Sequence, residues 1–213
     1  MSMVGTTGLV CIPTARIIPD GKLALGVSYT DAKYSFYGPK YNQIAYYATA
    51  GYLPFLEVSL RATEFPALAW SEAYRSGIER MASVKLQIMK ENRYLPSVVL
   101  GIHDIYGVSR KFNAQYIEAS KSINFPLLGP MDIHIGHAPN PIKSSGIKNY
   151  SMEGAFGGIE KVLCPYLTAM MEYDSRKYNI GLKIVPMGDR IYIDMVVLGM
   201  NRISGGISFS VDL

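Results

Sequence analysis

Gly206-Ile207-Ser208-Phe209-Ser210-Val211-Asp212-Leu213 places apolar side chains at 207, 209, 211 and 213, with serine or aspartate between them. Successive side chains of a strand point to opposite faces, so this segment has one oily wall and one polar wall. The pattern recurs upstream. Lys22–Thr30 sets Leu23, Leu25, Val27 and Tyr29 against Ala24, Gly26, Ser28 and Thr30, and 55–63 sets Leu56, Val58, Leu60 and Ala62 against Glu57, Ser59 and Arg61. Further alternating segments fall at 43–52, 80–89, 97–105, 113–121, 131–138, 152–160, 166–174, 178–185 and 190–199. The glycine-rich phase of 152–160 leaves room for a bulge.

A series of about twelve such strands predicts an all-β, antiparallel transmembrane barrel. A closed barrel is one of two structures that satisfy every backbone N–H and C=O inside lipid. No stretch approaches the roughly 18 consecutive apolar residues of a transmembrane helix, so insertion has to be by strands. The 213 residues read as a single domain, 1–213, with 1–21 as an irregular N-terminal segment. A signal peptide is expected to have been removed, since the N-terminus lacks a basic region followed by an apolar run.

Alternation alone does not say which wall faces inward. A soluble lipocalin-like barrel alternates too, with its apolar wall turned toward a ligand. The polar wall here is mostly glycine, serine, threonine and tyrosine, whereas a water-facing exterior carries far more lysine and glutamate. Charged residues make up only 18% of the chain and tyrosine occurs sixteen times, which suits aromatic girdles at two membrane interfaces. The net charge of +4 is scattered rather than gathered into a stripe, which argues against a nucleic-acid partner. Outer-membrane lipid is the expected surrounding.

With that orientation, Glu57, Arg61, Lys85, His103, Glu118, Asp132, His134, Glu172, Lys183 and Asp194 line the lumen. They form either a path for a hydrophilic polymer or a paired interior that fills the barrel, because buried charges persist when paired. Twelve strands fall between the roughly 8 that side chains can fill and the roughly 16 that leave an open channel, favouring a filled or narrow interior. Pro13 and Pro19 cannot donate to a ladder, and Asp20-Gly21 is a turn signal ahead of the first strand. Two placements fit this segment: a plug in the lumen with Arg16 paired to Glu57 or Glu172, or a tail tied to the rim.

Catalysis and metal binding find little support. His134 and His137 fall on opposite strand faces and do not converge, so no metal or cofactor is expected. Asp132 and His134 share a face, but no nucleophile motif accompanies them. The glycines at 154, 157, 158, 205 and 206 lack the context of a phosphate loop and fit close strand packing. Val10 before Cys11 argues against lipid attachment there, and Cys11 and Cys164 are too uninformative to pair from sequence. The 65–74 stretch with Trp70 reads as a short amphipathic helix in an outer connection.

Gly8-Leu9-Val10-Cys11-Ile12-Pro13-Thr14-Ala15-Arg16, followed by Pro19-Asp20-Gly21, resembles the opening of the YjbH-type outer-membrane proteins. The resemblance continues through Leu53-Pro54-Phe55-Leu56-Glu57-Val58, Tyr94-Leu95-Pro96, Phe156-Gly157-Gly158-Ile159-Glu160 and Glu172-Tyr173-Asp174. It implies a bacterial outer-membrane barrel, in a short single-barrel form, associated with exopolysaccharide biosynthesis or export. The expected role is non-catalytic. Exopolysaccharide or other cell-envelope proteins are the implied partners, and a structural anchor in a larger envelope complex is the alternative.

Overall fold

The computed structural model describes residues 1–35, 41–66, 78–105, 113–142, 151–186, 188 and 190–213. Twelve strands run through them: β1 Lys22–Thr30, β2 Gln43–Leu53, β3 Leu56–Glu64, β4 Ile78–Met89, β5 Ser97–His103, β6 Ala114–Phe125, β7 Gly129–Ala138, β8 Gly154–Cys164, β9 Leu167–Tyr173, β10 Tyr178–Ile184, β11 Ile191–Leu198 and β12 Arg202–Asp212. Each pairs antiparallel with its neighbours in sequence, and β1 pairs β12 to close the barrel. Leu25 faces Phe209 and Val27 faces Ile207 across that seam, so the apolar wall continues around the closure.

Orientation follows directly. Leu60, Ile207 and Phe209 are exposed on the outside, while Glu57, Ser59, Arg61 and Thr63 on the opposite wall of β3 are buried. Apolar side chains in a water-free interior with polar ones outside would give the reverse pattern, so the lipocalin arrangement is excluded. No helix among the described residues is long and apolar enough to cross a membrane. Exposed tyrosines gather at both rims: Tyr52, Tyr94 and Tyr166 at the end where β1 begins and β12 finishes, and Tyr29, Tyr46, Tyr173 and Tyr178 at the other end. Their amphipathic rings suit the two membrane–water boundaries.

Connections at the end where β1 begins and β12 finishes are mostly short, at 54–55, 126–128 and 165–166. Those at the far end include 31–42, 65–77 and 139–153. The sequence suggested a longer link after residue 121, but β6 continues to Phe125, pairing Ser122 with Asp132 and Phe125 with Gly129. Gly129 takes a left-handed φ of 74°, which lets the chain reverse over three residues. Register shifts fall at Gly51/Leu53, Gln87/Met89 and Val162/Cys164, not within the glycines of β8. Residues 67–77, including Trp70 of the expected helix, lie outside the described residues.

Several interior glycines make room for rings. Gly26, Gly101 and Gly136 sit directly across the ladder from Tyr47, Tyr116 and Phe156, and a Cβ on any of them would strike its partner's ring. Each ring therefore lies flat over bare backbone and packs against the inner wall.

The barrel is not hollow. Residues 1–21 fold into it as a plug, shaped by Met3 N–H to Val10 O at 2.7 Å and Leu9 N–H to Ile12 O at 3.1 Å. Leu9, Val10, Ile12 and Ala15 are fully buried and pack with Tyr116, Phe156, Met170, Val196 and other inward residues. An apolar core thus forms inside the lumen, where the sequence suggested only hydrophilic side chains. The alternating pattern of strands cannot reveal it, because five of the fourteen buried residues of that core come from a segment with no strand period.

Candidate functional site

The plug meets the wall at three polar anchors. The first joins β3 and β4, where Glu57 and Lys85 are cross-strand partners with Oε1 and Nζ 3.4 Å apart. Glu57 accepts from the Thr7 N–H at 3.0 Å, the Thr7 hydroxyl at 2.6 Å and the Ile18 N–H at 2.9 Å. Lys85 donates to Thr7 O at 2.9 Å and Thr14 O at 3.1 Å. An ion pair so fully buried survives because plug backbone saturates its remaining donors and acceptors.

The second anchor is Glu172 on β9. Its carboxylate accepts from three consecutive backbone N–H groups, Val10 at 2.9 Å, Cys11 at 2.8 Å and Ile12 at 3.2 Å. Asn179, its partner on β10, donates to the same carboxylate at 2.8 Å and receives the Gly199 N–H at 2.9 Å. Asp174 lies alongside, bonded by Asn179 at 3.0 Å and Lys177 at 2.5 Å. Burial works against the Lys177 ammonium, yet neighbouring negative groups, Asp174 among them, hold its pKa above the ordinary lysine value. Cys11, Glu172 and Asp174 lie close enough together to suggest a metal site. Their carboxylates, however, are already engaged in holding the plug and the β9–β10 turn.

The third anchor stands at the mouth where β1 begins and β12 finishes. Arg16 pairs with Asp132 on β7 and with Glu160 on β8, the latter at 2.6 Å. The pairing with Glu57 or Glu172 suggested by the sequence is therefore corrected: those carboxylates take backbone N–H groups deeper in the barrel. Ala15 is held just above, its N–H given to Ser120 Oγ at 2.8 Å and its carbonyl receiving Gln87 Nε2 at 2.8 Å and Ser97 Oγ at 2.9 Å. Pro13 and Thr14 lead into this contact. Pro19, Asp20 and Gly21 carry the chain out to β1, with Gly21 N–H on Gly51 O at 3.1 Å and an Asp20–Gly51 bridge. A Cβ at Gly51 would stand 2.1 Å from Pro19 O, so that exit needs glycine. The tail-at-the-rim placement is excluded.

The remaining inward residues have individual surroundings. His134 meets Ser120 at 2.7 Å through Nδ1, with Glu118 3.6 Å from the same nitrogen and Glu160 3.8 Å from Nε2. Asp132 belongs to Arg16 and Ser122 rather than to His134. His137 is exposed on the outer wall. His103 lies 3.2 Å from the Tyr116 hydroxyl. Arg61 and Asp194 are buried toward the loop end, and Lys183 reaches Gly8 O at 3.5 Å. Cys11 and Cys164 are both free thiols, one in the plug and one exposed at the end of β8.

Several anchoring residues escaped the sequence reading, Glu160 and Asn179 among them. Glu160 was missed because the glycines of β8 obscured its phase, although in register it lies opposite inward-facing Asp132. Asn179 alternates inward with Gly181 but carries no charge to mark it.

The YjbH family, described as exopolysaccharide biosynthesis protein YbjH, matches residues 1–184. A protein of Escherichia coli strain K12 named uncharacterized lipoprotein YjbH is 31% identical over 212 residues. That alignment covers 89% of this chain, which spans only 28% of the relative's length. Among solved structures, the KdgM porin aligns over 89% of this chain and 96% of its own, with a TM-score of 0.49 and 8% identity.

Proposed function

Since this chain belongs to the YjbH family of exopolysaccharide biosynthesis proteins, we propose that it is a non-catalytic barrel of the bacterial outer membrane whose lumen its own N-terminal segment closes. Its part in exopolysaccharide export is that of a membrane-seated member of a larger envelope assembly, and the polymer travels elsewhere. The observation that carries this reading is the plug: its backbone consumes the buried charges of Glu57, Lys85 and Glu172, which in an open channel would face the passing polymer.

Planar-bilayer recording of the purified full chain tests the reading, together with recovery of bound envelope proteins from detergent-solubilised outer membranes. Silent bilayers with stable co-purifying partners are expected. Steady pores would overturn the closed-lumen role in favour of passage through this barrel. Recovery of the folded protein in plain buffer would remove it from the membrane altogether.

A further inference from the structure

Gln115 occupies a position where an amide is costly. It pairs with Ile102 on the lipid-facing wall of β6, yet it is buried. Its cover is the start of the β7–β8 connection, which folds back over the outside of the barrel. Gln115 Nε2 donates to Ile142 O at 2.9 Å, and the Ile142 N–H donates to Gln115 Oε1 at 2.9 Å. The Gln115 N–H reaches Asn140 Oδ1 at 2.8 Å, and Asn140 Nδ2 reaches Met152 O at 2.8 Å. These four bonds hold 139–142 as a fixed overhang and give both polar atoms of the glutamine side chain a partner.

Between overhang and wall runs an open groove of about 610 Å³. Its floor is one cross-strand row, Leu86 opposite Leu100 and Leu100 opposite Ile117, all exposed. Its roof is Pro139, Pro141 and Ile142. The groove lies at the rim of the long connections and opens sideways, continuous with the apolar band that faces lipid.

We propose that this groove seats one hydrocarbon chain of a bilayer lipid from the leaflet beside the long connections, a site that rests on the membrane reading above. A second protein strand or an extended peptide would look for ladder partners. The roof offers few: Pro139 and Pro141 have no N–H, and the Ile142 N–H and C=O are committed to Gln115. A hydrocarbon chain needs no hydrogen bonds and gains only from contact with the row beneath and the prolines above.

The test uses the full chain in phospholipid vesicles carrying a trace of phosphatidylcholine with a diazirine on its palmitoyl chain. After irradiation, cross-linked positions are mapped by peptide mass spectrometry. Labelling at Leu86, Leu100, Ile117 or 139–142 is expected at least fivefold above that at Leu60, Met195 and Ile203, which are exposed elsewhere on the wall. Leu100→Trp fills the groove with an apolar ring, and labelling there should fall to the level of the other positions while heat-modifiable gel migration shows the barrel still folded. Ile203→Trp should leave the groove labelling unchanged. Uniform labelling around the wall, an unaffected Leu100→Trp, or a groove protected by a second barrel seen as a dimer would each overturn the proposal. Absence of labelling at every outward position would instead indicate a protein outside the bilayer, and the site would fall with the membrane reading.

Discussion

Glu57 and Lys85 face each other across β3 and β4, 3.4 Å apart and shut away from solvent, and each completes its hydrogen bonding on the plug rather than on the barrel. Removing one member leaves an uncompensated buried charge. Lys85→Met is expected to destabilise the fold by about 3–5 kcal/mol. The double variant Glu57→Gln/Lys85→Met removes both charges and should recover much of that loss. Denaturant unfolding in detergent measures the coupling, and proteolysis within residues 1–21 should accelerate in the single variant. Strict additivity of the two substitutions would show that the pair does not act as a unit.

Glu172 differs in kind, because most of its partners are backbone N–H groups. Glu172→Ala would strand the Val10, Cys11 and Ile12 N–H groups in a dry interior, at about 1–3 kcal/mol for each left unsatisfied. Glu172→Gln keeps an acceptor oxygen and should cost less. Hydrogen exchange reports this locally: the amides of 10–12 should lose protection in the alanine variant while strand amides far from β9 keep theirs. Unchanged protection at 10–12 would mean that apolar packing alone holds this part of the plug.

Arg16 is the weak anchor despite its two carboxylates, because about half of its side chain is exposed at the barrel mouth. Solvent-facing pairs contribute about 0–1 kcal/mol each and are screened by salt. Arg16→Ala should therefore shift the unfolding midpoint only slightly, and the shift should shrink between low and high ionic strength. A loss as large as that of Lys85→Met would make Arg16 a principal fastening.

The barrel was legible because it is periodic. Residues such as Leu56, Val58 and Leu60 declared their wall by alternation, and the scarcity of charge opposite them declared that wall to face lipid. The plug was legible only as an absence of period together with Pro13, Pro19 and Asp20-Gly21. Its contacts are long-range, and nothing local distinguishes Glu172, which binds three plug amides, from Glu160, which binds Arg16. The same limit hid the overhang on Gln115. A single amide on an apolar wall reads as an irregularity until its partner, Ile142, is brought against it from 27 positions away.

Gly181 ties the plug to the proposed closed lumen. It faces inward on β10, and a Cβ there would lie 3.0 Å from Val10 Cγ2, 3.1 Å from Met170 Cε and 3.1 Å from Val196 Cγ1. All three are side-chain ends that yield slightly, so Gly181→Ala should be tolerated. Gly181→Leu adds volume the seat lacks, and overpacking of this kind costs about 1–3 kcal/mol. The strain is relieved most readily by the plug, which is held by a few anchors, rather than by strands held along their length. Gly181→Leu is therefore expected to expose residues 1–21 to protease and to bring intermittent conductance to a silent barrel. Val10→Ala in the same chain removes two methyl groups from the point of collision and should restore silence. Conductance that persists in the double variant would show that Val10 does not sit against Gly181 as described, and that the seal lies elsewhere in the lumen.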